Sequence, residues 1–379
     1  MTQAFHNAVR LLFLADTHLG LDAPLRPRVQ RRRRGADFMA NYLKALTPAL
    51  QQEVDLLLHG GDMFFRSRVP PAIVAQAFEP LLHIADLGIP VFLVPGNHER
   101  SNIPRSLLET HSGIIVFDRP LTRVVTLNGC KIALTGFPHV RRNPRLQFKD
   151  QLVRTGWQSA AADIRLLCMH QAVEGAQVGV QHFTFRSGEE VIRSVDIPPG
   201  FDAVLSGHIH RHQVITKDLA GRTLRAPVFY PGSTERTSFA ERDEEKGYSI
   251  LTLAREPERR ITHRFITLPT RPMIDLVLDI RGLSIAEVRE RLIRRIASLD
   301  ENAIVRIRME EEIAPALLHE FNDRWLRSTA PPTMNISWGF HRRRTDEDMT
   351  QTQGRNDRYR LNTAKRIRDT RHLDNPAGR

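Results

Sequence analysis

Five short stretches of this chain end in side chains that bind metals or move protons. Asp16 and His18 stand in LADTH, Asp62 in HGGD, Asn97 and His98 in VPGNHE, His170 in CMHQ, and His208 and His210 in SGHIH. Each piece alone is ordinary: a polar strand end, a turn at GD, a satisfied histidine. The set is not, because every one of them closes an apolar run. Within DTH and HIH the alternation of an extended backbone sends both side chains of the pair to the same side, so one strand end supplies two neighbouring ligands. Carboxylate, carboxamide and imidazole donors without thiolate suit a pair of divalent first-row ions, with manganese or iron favoured by the oxygen share and zinc compatible. Two such ions suit phosphoester hydrolysis, where the attacking and the leaving oxygen both need stabilisation. On this reading Asp16, His18 and His210 hold one ion, Asn97, His170 and His208 hold the other, and Asp62 bridges them. The nucleophile is water. His98, beside a ligand but not needed as one, protonates the leaving oxygen or binds a phosphate oxygen in the transition state.

Such side chains converge only if the elements carrying them do. The apolar runs at 9–15, 54–59, 91–95, 131–136, 164–170 and 203–207 are continuous rather than alternating, which predicts strands covered on both faces in an α/β layered fold. Helices are expected between some of them, at 38–53 and 72–87. In open α/β sheets the carboxyl ends of the strands gather along one edge, and ligands bind there. Further strands at 222–230, 247–253 and 261–268 close a first domain. LPTRP, at 268–272, breaks the pattern with two prolines and places a boundary. From Met273 the order is strand (IDLVLDI), helix (284–299), strand (AIVRIRM), helix (313–327) and strand (MNISW), a small α/β unit in which Ser284 and Glu287 have the spacing of a capping box. From about residue 341 the chain is charged, arginine-rich and poor in large apolar residues, a tail expected to be flexible in isolation. The expected domains are therefore 1–269, 270–340 and 341–379.

Composition narrows the partners. The chain has 379 residues, 41% of them hydrophobic, enough for a large core, and 55 basic against 43 acidic side chains give a net charge of +12, which favours a polyanion. Cys130 and Cys168 lie far apart, so neither a disulfide framework nor a thiolate zinc site is expected, and a reducing, cytoplasmic compartment fits. No segment has the pattern of a secretory leader or of a membrane span. The run Arg31, Arg32, Arg33 and Arg34 follows closely on DTH, and two readings are open for it: leading a phosphate backbone toward the site, or a solvated helix start. Arginines of the tail are expected to add sequence-independent affinity for DNA. Aromatic residues are only 7% of the chain and are not interleaved with the arginines, so no stacking platform for single strands is expected. Glu235 and Arg236, in STER, are expected to pair with each other.

DTH, GD, GNHE, CMH and GHIH, in this order, resemble the calcineurin-like metallophosphoesterase superfamily. That resemblance implies a four-layer α/β/β/α sandwich, the same division of ligands between two ions, and His98 as the catalytic histidine. A narrower resemblance is to the SbcD-type DNA repair nucleases. It is carried by LADTHLG, by VDLLLHGGDMFFRSRVPP and by FYPGSTERTSFAERDEEKGYSIL, and the small α/β unit looks like that subfamily's capping domain. What it implies is a nuclease that cuts DNA ends, hairpins and single strands with manganese, acts with an SMC-like coiled-coil ATPase, and dimerises through helices of the first domain. Two departures stand out. Arg66 occupies a place where many relatives carry a second acidic residue or histidine, and it is positioned in the sequence to touch substrate phosphate. The tail offers only Tyr359, Leu361, Ile367 and Leu373 in place of the apolar helical stripe that an ATPase-docking segment needs. The leading expectation is a metal-dependent DNA nuclease in end processing, repair or defence. One alternative is a phosphodiesterase or phosphatase acting on a small nucleotide or phosphoprotein, and another is a nucleic-acid-binding scaffold that has lost activity. The intact set of eight site residues argues against the scaffold.

Overall fold

Leu11 and Phe13 leave the first strand on one face and Leu12 and Leu14 on the other, and all four are fully buried. The computed structural model describes residues 8–22, 31–98, 111–179, 181–186, 188–256, 260–309 and 321–339. Its first half runs β1 (Val9–Leu14), α1 (Arg34–Leu50), β2 (Leu56–His59), α2 (Pro71–Asp86), β3 (Val91–Leu93) and β4 (Ile114–Val116). There follow β5 (Leu121–Leu127), β6 (Cys130–Gly136), α3 (Pro144–Thr155) and β7 (Ile164–Met169). Four two-residue strands come next: β8 (Ala172–Val173), β9 (Gln177–Val178), β10 (Phe183–Thr184) and β11 (Val191–Ile192). The large elements resume with β12 (Ala203–Ser206), β13 (Gln213–Lys217), β14 (Thr223–Tyr230), β15 (Gly247–Leu253) and β16 (Ile261–Thr267).

Two six-stranded sheets result, in the orders β16-β15-β1-β2-β3-β4 and β13-β14-β12-β7-β6-β5. Their central strands are parallel; in the first sheet β15 is antiparallel to both β1 and the edge strand β16, and in the second both edge strands, β13 and β5, are antiparallel to their neighbours. Between the sheets, Leu11, Phe13, Leu58 and Phe92 meet Ile132, Leu134, Leu166 and Leu205. On the outer face of the first sheet, Leu12, Leu14 and Leu57 pack under Phe38, Tyr42 and Leu46 of α1 and Phe78 and Leu81 of α2. The outer face of the second, with Leu167, Met169, Val204 and Val228, packs against Phe148 and Leu152 of α3. This is the four-layer α/β/β/α sandwich. It also explains the unbroken apolar runs, since each fully buried leucine or phenylalanine contributes about 1.5–3 kcal/mol whichever face it occupies.

Strand pairing stops at Thr267 and resumes at Met273 in a separate three-stranded sheet of β17 (Met273–Leu278), β18 (Ile304–Met309) and β19 (Asn335–Trp338), in that order. α4 (Ile285–Ala297) is capped by Ser284, whose hydroxyl accepts from the Glu287 amide while the Glu287 carboxylate accepts from the Ser284 amide at 2.7 Å, the expected box. Its Val288, Leu292 and Ile296 are buried at helical spacing. Of the second helix expected here, the described part is α5 (Asp323–Thr329). The proline-marked break is anchored by Arg271, which donates to Asp37 at 2.9 Å, to Asn335 at 2.6 Å and to the carbonyls of Asn302 and Thr333. Residues 1–337 form one compact unit and Trp338–Arg379 a second, of which the expected basic tail lies outside the described residues. No helix among the described residues is long and apolar enough to cross a membrane.

Candidate metal centre

β1, β2, β3, β7 and β12 all point their carboxyl ends at one place, and the chain leaves three of them in an unusual way. Asp16, His18, Asp62 and His208 have φ of 52°, 44°, 51° and 84°. That left-handed region is costly for residues with a Cβ and concentrates at functional sites, where surrounding structure over-determines it. Here the over-determination is visible in main-chain bonds. The amide of Asp16 donates to the Gly61 carbonyl at 2.9 Å, and that of His18 to the Asp62 carbonyl at 3.0 Å. The Asp16 carboxylate accepts from the His208 amide at 3.0 Å, and that of Asp62 from the His98 amide at 2.9 Å. Glycine is required where these loops touch: a Cβ on Gly96 would sit 2.2 Å from Asp62 Oδ1, and one on Gly61 would sit 2.4 Å from His170 Nδ1.

The side chains then meet in two groups. His170 Nδ1–H donates to the Gly60 carbonyl at 2.8 Å, which turns Nε2 toward Asn97 Oδ1 at 3.1 Å and Asp62 Oδ2 at 3.3 Å. His208 Nδ1 lies 3.0 Å from the same Asn97 oxygen. Opposite them, His18 Nε2 and His210 Nε2 face each other at 2.9 Å, and His210 Nδ1–H donates to Glu241 Oε1 at 3.0 Å. Asp16 Oδ1 stands 4.0 Å from Nε2 of both His170 and His210. Three overlapping sets, Asp16 with His18 and His210, His18 with Asp62 and His98, and Asp16 with Asp62 and His170, each bring their ligand atoms within 4.8 Å of one another.

Electrostatics agree with a site built for cations. Burial raises Asp16 to about 6 against the pull of His170 and His210. Burial would raise Asp62 too, yet the charge and hydrogen bond of His170 hold it well below the usual carboxylate range. In return Asp62 raises His170 to about 9 in spite of burial, while burial pushes His208 down to about 3 and His18 well below its ordinary value. The pocket thus balances buried carboxylate with a protonated imidazole, a role that a divalent ion takes over when bound. Inward-facing Nε2 atoms, carboxylates and a carboxamide oxygen in one cavity fit such ions.

His98 stands at the rim, its side chain 35% exposed. Its Nδ1–H donates to the Phe65 carbonyl at 2.5 Å, its ring stacks on Phe65, and Nε2 lies 3.8 Å from Asp62. Arg66, also exposed, lies over the Phe65 ring with its guanidinium carbon 5.5 Å from the centroid.

The arginine run behaves otherwise. Arg34 is buried and donates to Glu235 at 3.3 Å and to the Arg236 carbonyl at 2.6 Å; Arg31 reaches the carbonyls of Pro331 and Met334, both at 2.9 Å. Arg32 pairs with Asp37 at 2.8 Å and Arg33 with Asp22. The structure therefore spends Arg31, Arg32, Arg33 and Arg34 on tying the start of α1 to its surroundings, and does not bring them into the ligand cluster. The pair expected inside STER is made through the main chain of Arg236 and not through its guanidinium. The Glu235 carboxylate accepts from Arg34, from Asn41 and from the main-chain amide of Arg236 at 2.8 Å, whereas the Arg236 guanidinium donates to the carbonyls of Glu244 and Arg271. Sequence reasoning missed Glu241, Thr237 and Lys246 around His210. It also missed His139, whose Nδ1–H donates to the His170 carbonyl at 2.7 Å and whose ring lies 5.6 Å from that of His208.

A family model described as calcineurin-like phosphoesterase matches residues 9–212, a span that holds all eight candidate residues. The DNA double-strand break repair protein Mre11 of Haloferax volcanii is 29% identical over 314 residues, covering 82% of this chain and 64% of that protein. Mre11 of Halobacterium salinarum is 28% identical over 323 residues (83% of this chain, 74% of that one), and Mre11 of Methanopyrus kandleri 24% over 252 residues (63% and 51%). The chain thus spans about half to three quarters of the length of these relatives.

Proposed function

The chain belongs to the calcineurin-like phosphoesterase family, hydrolases with a dinuclear metal site, and from that premise we propose that it is a metal-dependent DNA nuclease. It cuts phosphodiester bonds as an exonuclease and endonuclease in DNA end processing, repair or defence. The observation that carries the DNA reading is the length of the likeness to proteins named for DNA double-strand break repair, 314 residues against the 204 between 9 and 212 that mark the family alone. A net charge of +12 supports a polyanionic substrate.

Asp16, His18 and His210 would hold one ion, Asn97, His170 and His208 the other, with Asp62 between them and manganese the first candidate for both. When bound, the ions supply an acidified water and neutralise the non-bridging phosphate oxygens. The protein supplies the rest. Gly60 and Glu241 hold the rings of His170 and His210 with Nε2 inward. His98, its Nδ1 anchored on the Phe65 carbonyl, keeps Nε2 at the rim, placed to protonate the leaving oxygen. Arg66, beside it, takes a phosphate oxygen of the strand. Residues 270–340 act as a capping domain over this edge, and the basic stretch 341–379 adds sequence-independent affinity. An SMC-like coiled-coil ATPase and a second copy of the chain are the partners this reading brings, in the cytoplasm.

The test is cleavage of end-labelled linear duplex, hairpin and single-stranded DNA with manganese, magnesium or chelator, with a small phosphodiester dye in parallel. Manganese-dependent DNA cleavage that disappears in His98→Ala supports the proposal. Hydrolysis of the dye alone overturns it in favour of a small-substrate phosphodiesterase.

A further inference from the structure

Glu241 ends a short helical turn, Phe239–Glu241, in the connection between β14 and β15. Four groups grip its carboxylate: His210 Nδ1–H at 3.0 Å, the Lys246 ammonium at 2.7 Å, the Thr237 hydroxyl and the Thr237 amide at 3.3 Å. Lys246 is itself fully buried, and its ammonium also donates to Glu244 and to the main-chain carbonyl of His210, both at 2.9 Å. Desolvating an ammonium and two carboxylates rarely repays itself in stability. What these groups share is one imidazole, which the network holds by ring and by backbone at once.

The other side of the same loop faces the small sheet. The Arg306 guanidinium lies 4.3 Å from the centroid of the Phe239 ring and also binds Asp275 at 2.5 and 2.7 Å. Asp275 reaches back across to Arg242 at 3.4 Å. Residues 237–246 are thus held at one end by a ligand side chain of the metal centre and at the other by β17 and β18. Any shift of those strands is carried through Phe239 and Arg242 to the two sides of Glu241.

We propose that Glu241 is the positioning residue of His210 and that the small sheet, through Arg306 and Asp275, sets where Glu241 stands, so that it tunes the ion bound by Asp16, His18 and His210. The inference rests on the ligand assignment above. A carboxylate on the outer nitrogen of a ligating histidine fixes its tautomer and orientation and raises its basicity. Here that carboxylate is borrowed from a loop with two masters, and affinity for one ion becomes sensitive to strands that never touch it.

The experiment uses the full chain, stripped with chelator and titrated with manganese by calorimetry, and the visible spectrum of the cobalt(II)-loaded protein. Glu241→Gln keeps an acceptor for Lys246 but removes the charge, and is expected to weaken one of the two bound ions by about 10–100-fold and leave the other. Arg306→Ala removes a partly exposed side chain away from the centre. It is expected to weaken the same ion by a few-fold and to move the same cobalt band. His210→Ala gives the reference, loss of that ion. If His210→Ala keeps both ions, the ligand assignment fails and the inference with it. If His210→Ala loses one ion but Glu241→Gln binds both as the parent does, positioning by Glu241 is overturned. If only Arg306→Ala is silent, the control by the small sheet is overturned. Should Glu241→Gln fold poorly, Arg306→Ala decides.

Discussion

His170 and His210 reach the same metal centre from neighbouring parts of one sheet edge and are held there in opposite ways. His170 is fully buried, and its ring is set by a main-chain carbonyl, that of Gly60, in a loop so tight that only glycine fits beside it. His210 is 26% exposed and is set by a side chain, Glu241, 31 residues further along, which depends in turn on Thr237 and Lys246. Main-chain anchoring comes with the fold and cannot be mutated away one group at a time. Side-chain anchoring can be tuned, and lost, without disturbing the sheets. One half of the centre is therefore rigid by construction and the other adjustable.

The comparison can be broken hardest at Asp62, which touches both halves. Asp62→Ala is expected to abolish binding of metal and to lower turnover by about 10³-fold or more, measured by metal content and DNA cleavage together; an active variant would sink the mechanism. His98→Ala belongs to neither half, so both ions should remain while turnover falls by about 10²–10⁴-fold. Gly96→Ala probes the rigid half. Its Cβ would stand 2.2 Å from Asp62 Oδ1, so Asp62 and the peptide of His98 must move, and about 10²-fold of activity should go with them. Thr237→Val probes the adjustable half from furthest out. Removing one hydroxyl donor from Glu241 costs on the order of 1 kcal/mol, a few-fold in affinity for a single ion, readable by calorimetric titration. A Gly96→Ala chain milder than Thr237→Val would reverse the assignment of rigid and adjustable halves.

Much of this was readable in the sequence because both faces of the inner strands are buried. Continuous apolar runs ending in Asp16, Asp62, His170 and His208 can only be strands of a layered fold whose tips gather, and the structure brings all eight candidate residues together. What could not be read is side-chain partnership across distant loops. Glu241 sits in FAERDEEKGY among five other acidic or basic residues, and nothing local distinguishes those that turn inward, Glu241, Glu244 and Lys246, from the rest. The internal partners of the arginine run could not be read for the same reason. Its partners Asp22, Asp37 and Glu235 become partners only when α1 is in place. Strands β5 and β13 and helix α3 went unread because exposed apolar residues such as Val124, Val214 and Leu146 blur their patterns.

Strand β1 lies between β2 and β15, and Val9 pairs with Leu253. During synthesis β1 must therefore wait for β15, more than 230 residues later, before both its edges are satisfied. A chain cut at residue 212 would still hold every ligand of the centre, yet would present VRLLFL with one row of amides and carbonyls open, a template for sticking to other chains. The smallest piece that keeps its solubility is longer than the smallest piece that carries every candidate ligand.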